Sequence, residues 1–297
     1  MEWNDDKVIM NDVLKLLDNV LTEFNDRASE QLDNAKYYAE KERSVGLGVM
    51  GFHSYLQQHS IPLESVMSKA WNKKIFKHIQ EHVDQASKDL ADERGACPDA
   101  ADYGFNERFS NKTAIAPTAS ISIICGGASP GVEPVAANSY THKTLSGSFN
   151  VRNRYLVELL EKHGKNNDDV WSGITTNQGS VSHLDFLTDL EKDVFKTAFE
   201  LDQKWIIELS GDRTPFISQA QSINLFVPAD IHKRELHKIH FDAWKKGLKS
   251  LYYCRSKSIQ RAENVNDTKA TDVTANVYKS KPQTTEQPEY EECLSCQ

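Results

Sequence analysis

Two thiols, Cys293 and Cys296, bracket Leu294-Ser295 in a Cys-x-x-Cys pair. At that spacing they can close a small disulfide ring, so that one thiolate attacks an outside disulfide and the other resolves the mixed intermediate. A dithiol shuttle is the chemistry this suggests; half of a zinc site, which needs two more ligands, and chance spacing are the other readings. Tyr252-Tyr253 is a second candidate. Adjacent aromatics at a strand end ordinarily pack a core or an edge, and the sharper reading is a pair of phenols passing an electron and a proton. A third is Ala116-Pro117-Thr118-Ala119-Ser120-Ile121-Ser122. Between a strand and a helix start, its hydroxyls and N–H groups can meet a phosphate, because small side chains permit close approach and helix N-termini favour anions. A small-residue turn in the core has the same composition. His78-Ile79-Gln80-Glu81-His82 formally fits a zinc-peptidase motif, His-x-x-Glu-His, but needs a third ligand. In a charge-rich amphipathic helix, coincidence explains it equally well.

The elements that must position these residues belong to a globular chain. With 297 residues, 39% hydrophobic and 26% charged, the sequence can bury a sizeable core, and disorder throughout is excluded. A net charge of −8 without a Lys/Arg-rich run argues against a nucleic-acid polymer as partner. The start carries no basic and apolar leader and no stretch approaches a membrane span, so a cytoplasmic protein without a membrane partner is expected. Five cysteines, an odd number, argue for reduced thiols or redox chemistry and against a disulfide framework. Neither a P-loop nor a Gly-x-Gly-x-x-Gly fingerprint is present.

Apolar spacings of three and four predict one long amphipathic helix from residue 4 toward residue 42. Ser44-Val45-Gly46-Leu47-Gly48-Val49 alternates glycine with apolar residues, as in a buried strand closely approached by other backbone. A short helix should follow from Phe52 and a longer one over 63–93. Helices over 152–163, 187–209 and 230–248 are predicted to flank a strand at 222–227, with a last strand ending at 251–253. Residues 255–297 hold only isolated apolar positions and cannot offset their ordering entropy, so they are expected to form a flexible tail with Cys293 and Cys296 at its tip. The domain division expected is therefore 1–254 and 255–297.

Together these segments resemble the C-terminal part of the large, catalytic subunit of class I ribonucleoside-diphosphate reductase, in the family's order through nearly the whole chain. The resemblance is carried by Arg43 to Val49, Arg94-Gly95-Ala96-Cys97-Pro98, Ala116 to Ser120, Gly131-Val132-Glu133-Pro134, Tyr140-Thr141 and Leu145-Ser146-Gly147. Its most specific stretches are Asp212 to Asn224 and Trp244 to Tyr253. It implies an α/β fold, the second half of a ten-stranded barrel. It implies that Tyr252 and Tyr253 relay a radical and that Cys293 and Cys296 re-reduce the active site. Pro117, Thr118, Ala119, Ser120, Ile121 and Ser122 would hold the diphosphate of a nucleoside diphosphate substrate. Ile121 stands where relatives commonly carry Thr or Ser, leaving its N–H as the available group.

The family's catalytic Asn-x-Cys-x-Glu run is absent from this sequence: Cys97, Cys125 and Cys254 each lack it. The resemblance therefore implies a naturally split subunit, of T-even-like phage type, working with an N-terminal fragment that carries the radical cysteine. No metal or cofactor is expected on this chain. The radical would come from a diiron-tyrosyl centre in the small subunit, and electrons from thioredoxin or glutaredoxin. A catalytically inactive remnant that binds the small subunit is the alternative.

Overall fold

The computed structural model describes residues 6–144 and 147–257. Residues 255–257, expected to open the flexible tail, instead pair in a parallel strand over Cys254–Lys257, because Leu225–Pro228 offers them a ladder; the rest of that tail, with Cys293 and Cys296, lies outside the described residues. The N-terminal helix expected in one piece is two. Helix α1 spans Asp6–Arg27 and α2 spans Asp33–Glu42, separated by a 3-10 turn over Glu30–Leu32. The reason for the break is tertiary. Arg43, in the left-handed conformation (φ 44°) that closes α2, donates from Nε to Asp18 Oδ1 at 2.8 Å and from Nη2 to the Asp18 carbonyl at 2.8 Å. A continuous helix would hold these two residues roughly 37 Å apart at 1.5 Å per residue, so the chain must reverse to bring them together.

Short α3, Phe52–Gln58, precedes the long α4, Val66–Arg94, whose N-cap Ser65 accepts from the Ser68 N–H at 3.1 Å. Leu14 of α1 packs with Ile79, Val83, Ala86 and Leu90 of α4. After α5, Pro98–Asp102, and α6, Ala119–Ile124, comes a hairpin that periodicity did not announce: β1, Ser139–Thr144, antiparallel to β2, Gly147–Arg152. Helices α7, Arg154–Lys162, and α8, Asp168–Thr176, bury Leu156, Leu160, Trp171 and Ile174 in one cluster. The single helix expected over 187–209 is α9, Asp189–Val194, and α10, Gln203–Arg213. Between them the Ala198 N–H goes to Val135 C=O at 2.8 Å and the Thr197 N–H to the Glu200 carboxylate at 2.8 Å, bonds that a continuous helix would forbid. Strand β3, Leu225–Pro228, helix α11, Lys233–Lys245, and strand β4, Cys254–Lys257, complete the described chain.

Four segments run parallel in chain order: 44–48, 111–115, 219–228 and 252–257. Bridges Leu47 to Thr113 and Ile115 to Gln221, then the β3–β4 ladder, define the array. Each connection contains helix, so the expected α/β character holds, whereas the described residues are helix-rich and close no barrel. Gly48 explains its own presence: a Cβ there would lie 2.5 Å from Ala114 O, so only glycine lets the two segments meet. Beneath the array Arg213 is buried with its guanidinium near the Phe52 and Phe76 rings at 5.8 and 5.7 Å. It donates to Gln221 Oε1, Asn72 Oδ1 and Ser210 Oγ, joining α10, α4 and the third segment. Burial lowers its pKa to about 9, still charged at neutral pH. Among the described residues, no helix is long and apolar enough to cross a membrane.

Two buried ionisable groups make stability depend on pH in separate windows. Burial would raise the Asp18 carboxyl, but hydrogen bonds from Arg108 and Arg94 and the charge of Arg43 outweigh it and its pKa is lowered. Its contribution is present above the ordinary value of 3.8 and is lost as pH falls below it. Asp18→Asn leaves buried guanidinium charge uncompensated and is expected to cost about 3–5 kcal/mol in urea unfolding at neutral pH. His53 is buried and held neutral, its pKa lowered from 6.5 to about 4 by burial, with Nδ1 accepting from the Val135 N–H at 3.1 Å. Its contribution is complete above pH 6.5 and lost as pH falls toward 4, by roughly 3 kcal/mol. His53→Asn, which keeps an acceptor for Val135, is expected to flatten urea midpoints between those pH values; an unchanged pH slope would contradict this.

Candidate functional site

Pro117 follows two residues after the second parallel segment, and its ring biases Ala116 toward extended backbone. Thr118 then takes φ 53°, a left-handed conformation that is strained for a β-branched residue and is held by its surroundings. Its Oγ1 accepts from the Gly131 N–H at 2.7 Å, which leaves the hydroxyl proton to donate elsewhere. Gly131 has φ +47°, and a Cβ there would stand 2.9 Å from Ala116 O, so this close approach requires glycine. The first intrahelical bond of α6 is Ser122 N–H to Thr118 C=O at 2.9 Å. The N–H groups of Ala119, Ser120 and Ile121 precede it and are the orphan donors of a helix start. Ser122 is buried and its Oγ donates to Ala119 C=O at 3.1 Å, a structural bond, whereas Ser120 is exposed. The Ile121 side chain is 53% exposed and offers no donor. The loop that returns toward Gly131 is pinned on α3 by reciprocal bonds, Ser54 N–H to Ser129 Oγ and Ser129 N–H to Ser54 Oγ.

The tyrosine pair sits where the fourth segment meets the third. A regular strand sends successive side chains to opposite faces. Here the Tyr252 and Tyr253 ring centroids lie 4.1 Å apart at 57°. The backbone bonds explain how. Tyr252 N–H goes to Ile223 C=O at 2.8 Å, while the Leu225 N–H goes to Tyr253 C=O at 2.8 Å. Two residues thus face the single residue Asn224, an arrangement of bulge type that turns both rings together. The extra N–H, that of Tyr253, is taken by Asn224 Oδ1 at 3.1 Å. Both rings are partly exposed, at 39% and 47%, and the Arg255 guanidinium lies 5.8 Å from the Tyr253 ring.

One segment serves both features. Gly131 binds Thr118, and two residues on, buried Glu133 accepts from the Asn224 N–H at 3.3 Å. Burial pushes the Glu133 carboxyl up, and the Asn224 bonds and the Arg255 charge only partly offset this. Glu133, Asn224 and Arg255 received no role in sequence reasoning. Gly131 to Pro134 and Asn224 stood in stretches that carried the resemblance, but only the folded contacts join them to the tyrosines.

The zinc-peptidase alternative has no support in the geometry. His82 Nδ1 lies 2.8 Å from the His78 carbonyl, Glu81 pairs with Lys77, and no metal-holding group of three His, Cys, Asp or Glu occurs among the described residues. Of the other cysteines, Cys97 is buried and Cys125 and Cys254 are exposed and unbridged.

Comparison with known proteins matches this arrangement to a family. The family model "Ribonucleotide reductase, barrel domain" matches residues 2–108 and 99–254. The chain is 47% identical over 269 residues to the ribonucleoside-diphosphate reductase large subunit of Invertebrate iridescent virus 6, covering 89% of this chain and 28% of that protein. It is 44% identical over 273 residues to that of Invertebrate iridescent virus 3, covering 91% and 43%. Among solved structures, an Actinobacillus ureae class Id ribonucleotide reductase alpha subunit superposes with TM-score 0.80 at 37% identity, covering 88% of this chain and 48% of that one. The chain spans less than half the length of each. With matched sequence and matched fold through nearly all the described residues, the chain belongs to the ribonucleotide reductase large-subunit barrel-domain family.

Proposed function

We propose that this chain is the C-terminal part of a split class I ribonucleoside-diphosphate reductase large subunit, of the T-even-like phage type that its motifs resemble. Joined to an N-terminal fragment and a radical-generating small subunit, it replaces the ribose 2′-hydroxyl of a nucleoside diphosphate by hydrogen. The balance is one dithiol oxidised to a disulfide and one water released per deoxynucleotide formed. The observation that carries the reading is the close, tilted Tyr252–Tyr253 pair, joined to the small-residue loop at Thr118 by hydrogen bonds at Asn224, Glu133 and Gly131 and the backbone between the last two. In this reading Tyr252 and Tyr253 pass the radical inward. The Thr118 hydroxyl, exposed Ser120 and the first N–H groups of α6, including that of Ile121, grip the diphosphate. Pro117, Ala119 and buried Ser122 shape the loop. Cys293 and Cys296 return electrons from thioredoxin or glutaredoxin.

The N-terminal fragment supplies the radical cysteine and the acid/base carboxylate, and the diiron-tyrosyl centre belongs to the small subunit. The four-segment array supports a half-barrel that is completed by a partner. Among the described residues its outer segments pair with no further strand, and such edges invite pairing. Leu16 and Val20 leave a further apolar strip exposed on α1.

The test is dithiol-driven reduction of cytidine diphosphate with all three polypeptides, and with each omitted. Product only in the complete mixture, lost to background in Tyr253→Phe because a phenyl ring has no phenolic hydrogen to give up, is the expected result. Fragments that associate without turnover would favour the inactive remnant. In the active mixture Thr118→Val is expected to raise KM for the nucleoside diphosphate. By leaving the buried Gly131 N–H unpaired it should also cost about 1–3 kcal/mol in urea unfolding.

A further inference from the structure

We infer that Glu133 is a positioning residue for the tyrosine pair: acting through Asn224, its carboxylate holds the backbone irregularity that turns the Tyr252 and Tyr253 rings together. The role assigned to that pair rests on the function proposed above; the positioning itself does not. Three bonds fix the tyrosine backbone. Two are ladder bonds to Ile223 and Leu225, and the third, at the unpaired N–H of Tyr253, ends on the Asn224 side chain. Asn224 is 2% exposed, and its own N–H is directed at Glu133 Oε1. Glu133 is itself 7% exposed, and a carboxylate is expensive to bury without a partner to satisfy it. Asn224 supplies that partner, and the turn bond from the Glu133 N–H to Pro130 C=O at 3.0 Å fixes the backbone that carries the carboxylate. Because Gly131 in the same turn is tied to Thr118, the anchor of the rings is also fixed to the loop read here as the diphosphate grip.

Without the carboxylate, the Asn224 N–H, in a residue only 2% exposed, loses its acceptor, and Asn224 is held only through the ladder bonds of Ile223 and Leu225 on either side of it and the bond from the Tyr253 N–H. The two-against-one pairing then relaxes toward alternation, which moves one ring off the other. What matters is an acceptor at Oε1, so Gln should serve where Ala does not.

The experiment places 3-fluorotyrosine at position 252 or 253 of the full chain and records ¹⁹F spectra of wild type, Glu133→Ala and Glu133→Gln, without substrate. Expected are distinct folded shifts for both rings in wild type and in E133Q, and in E133A a shift of both toward the free amino-acid value. The same variants in the complete reductase mixture should show about a tenfold fall in kcat for E133A, with KM for cytidine diphosphate unmoved, and recovery of most of that loss in E133Q. Ring spectra of E133A indistinguishable from wild type would overturn the proposal, as would equal loss in E133A and E133Q or a change confined to KM. If E133A does not fold, Asn224→Ser reads the same link, since its shorter side chain cannot reach the Tyr253 N–H; unchanged rings there also overturn it. A wild-type mixture that makes no deoxynucleotide while E133A still releases the rings would refute the proposed function and leave the positioning standing.

Discussion

The four parallel segments are joined by too few ladder bonds to pair every buried N–H and C=O, and polar side chains take up the remainder, as burial requires. Ser218 Oγ accepts from the N–H groups of both Lys112 and Thr113, each at 3.0 Å, and Thr113 Oγ1 accepts from the Ser218 N–H at 2.9 Å. Gln219 Nε2 reaches back to Ser44 Oγ and Val45 C=O in the first segment. Asn224 does the same for Tyr253 at the far side of the array. The array is therefore spliced by short polar residues at particular positions, and the tyrosine pair lies at one of them. A hydrophobic replacement at Ser218 or Asn224 would leave a buried donor unmet, which costs more than the average worth of one hydrogen bond.

Besides Glu133, charge is buried around Asp18 and at Arg213, in different surroundings. Asp18 is fully enclosed and collects Arg43, Arg94 and Arg108 from three separate stretches, fixing α1 against α4 and against the loop before the second segment. Arg213 has no carboxylate hydrogen-bonded to it; amide and hydroxyl oxygens and two phenyl faces surround it. Such a cation is tolerable because its donors are individually met and the aromatic faces are negative. Neither arrangement is strongly stabilising relative to an apolar packing, since the desolvation of charge offsets most of the attraction, but removing one partner leaves charge buried and unmet.

Much of the architecture was legible because its determinants are local. The pattern over 63–93 predicts α4 closely, and the glycine alternation at 46 and 48 predicts a close backbone approach that Ala114 then supplies. The breaks after Arg27 and Val194 were not legible, since each is set by partners distant in sequence: Arg43 with Asp18, and Ala198 with Val135. In the site, the tyrosines and the Thr118 loop announce themselves by residue type. Their connection does not, because Glu133 and Asn224 are ordinary polar residues until the fold buries them against each other.

By itself the sequence determined most helices and the extended segments, the paired phenols and the small-residue hydroxyl loop as candidates, and the absence of an Asn-x-Cys-x-Glu run. These depend on residue identity and on periods of two and 3.6, which survive without knowledge of any contact. Only the tertiary structure decided that adjacent tyrosines share one face, because strand alternation opposes it and a two-against-one pairing across Asn224 was needed to overcome it. It also decided that Glu133 belongs with them, since a carboxylate's role follows from what surrounds it once water is gone.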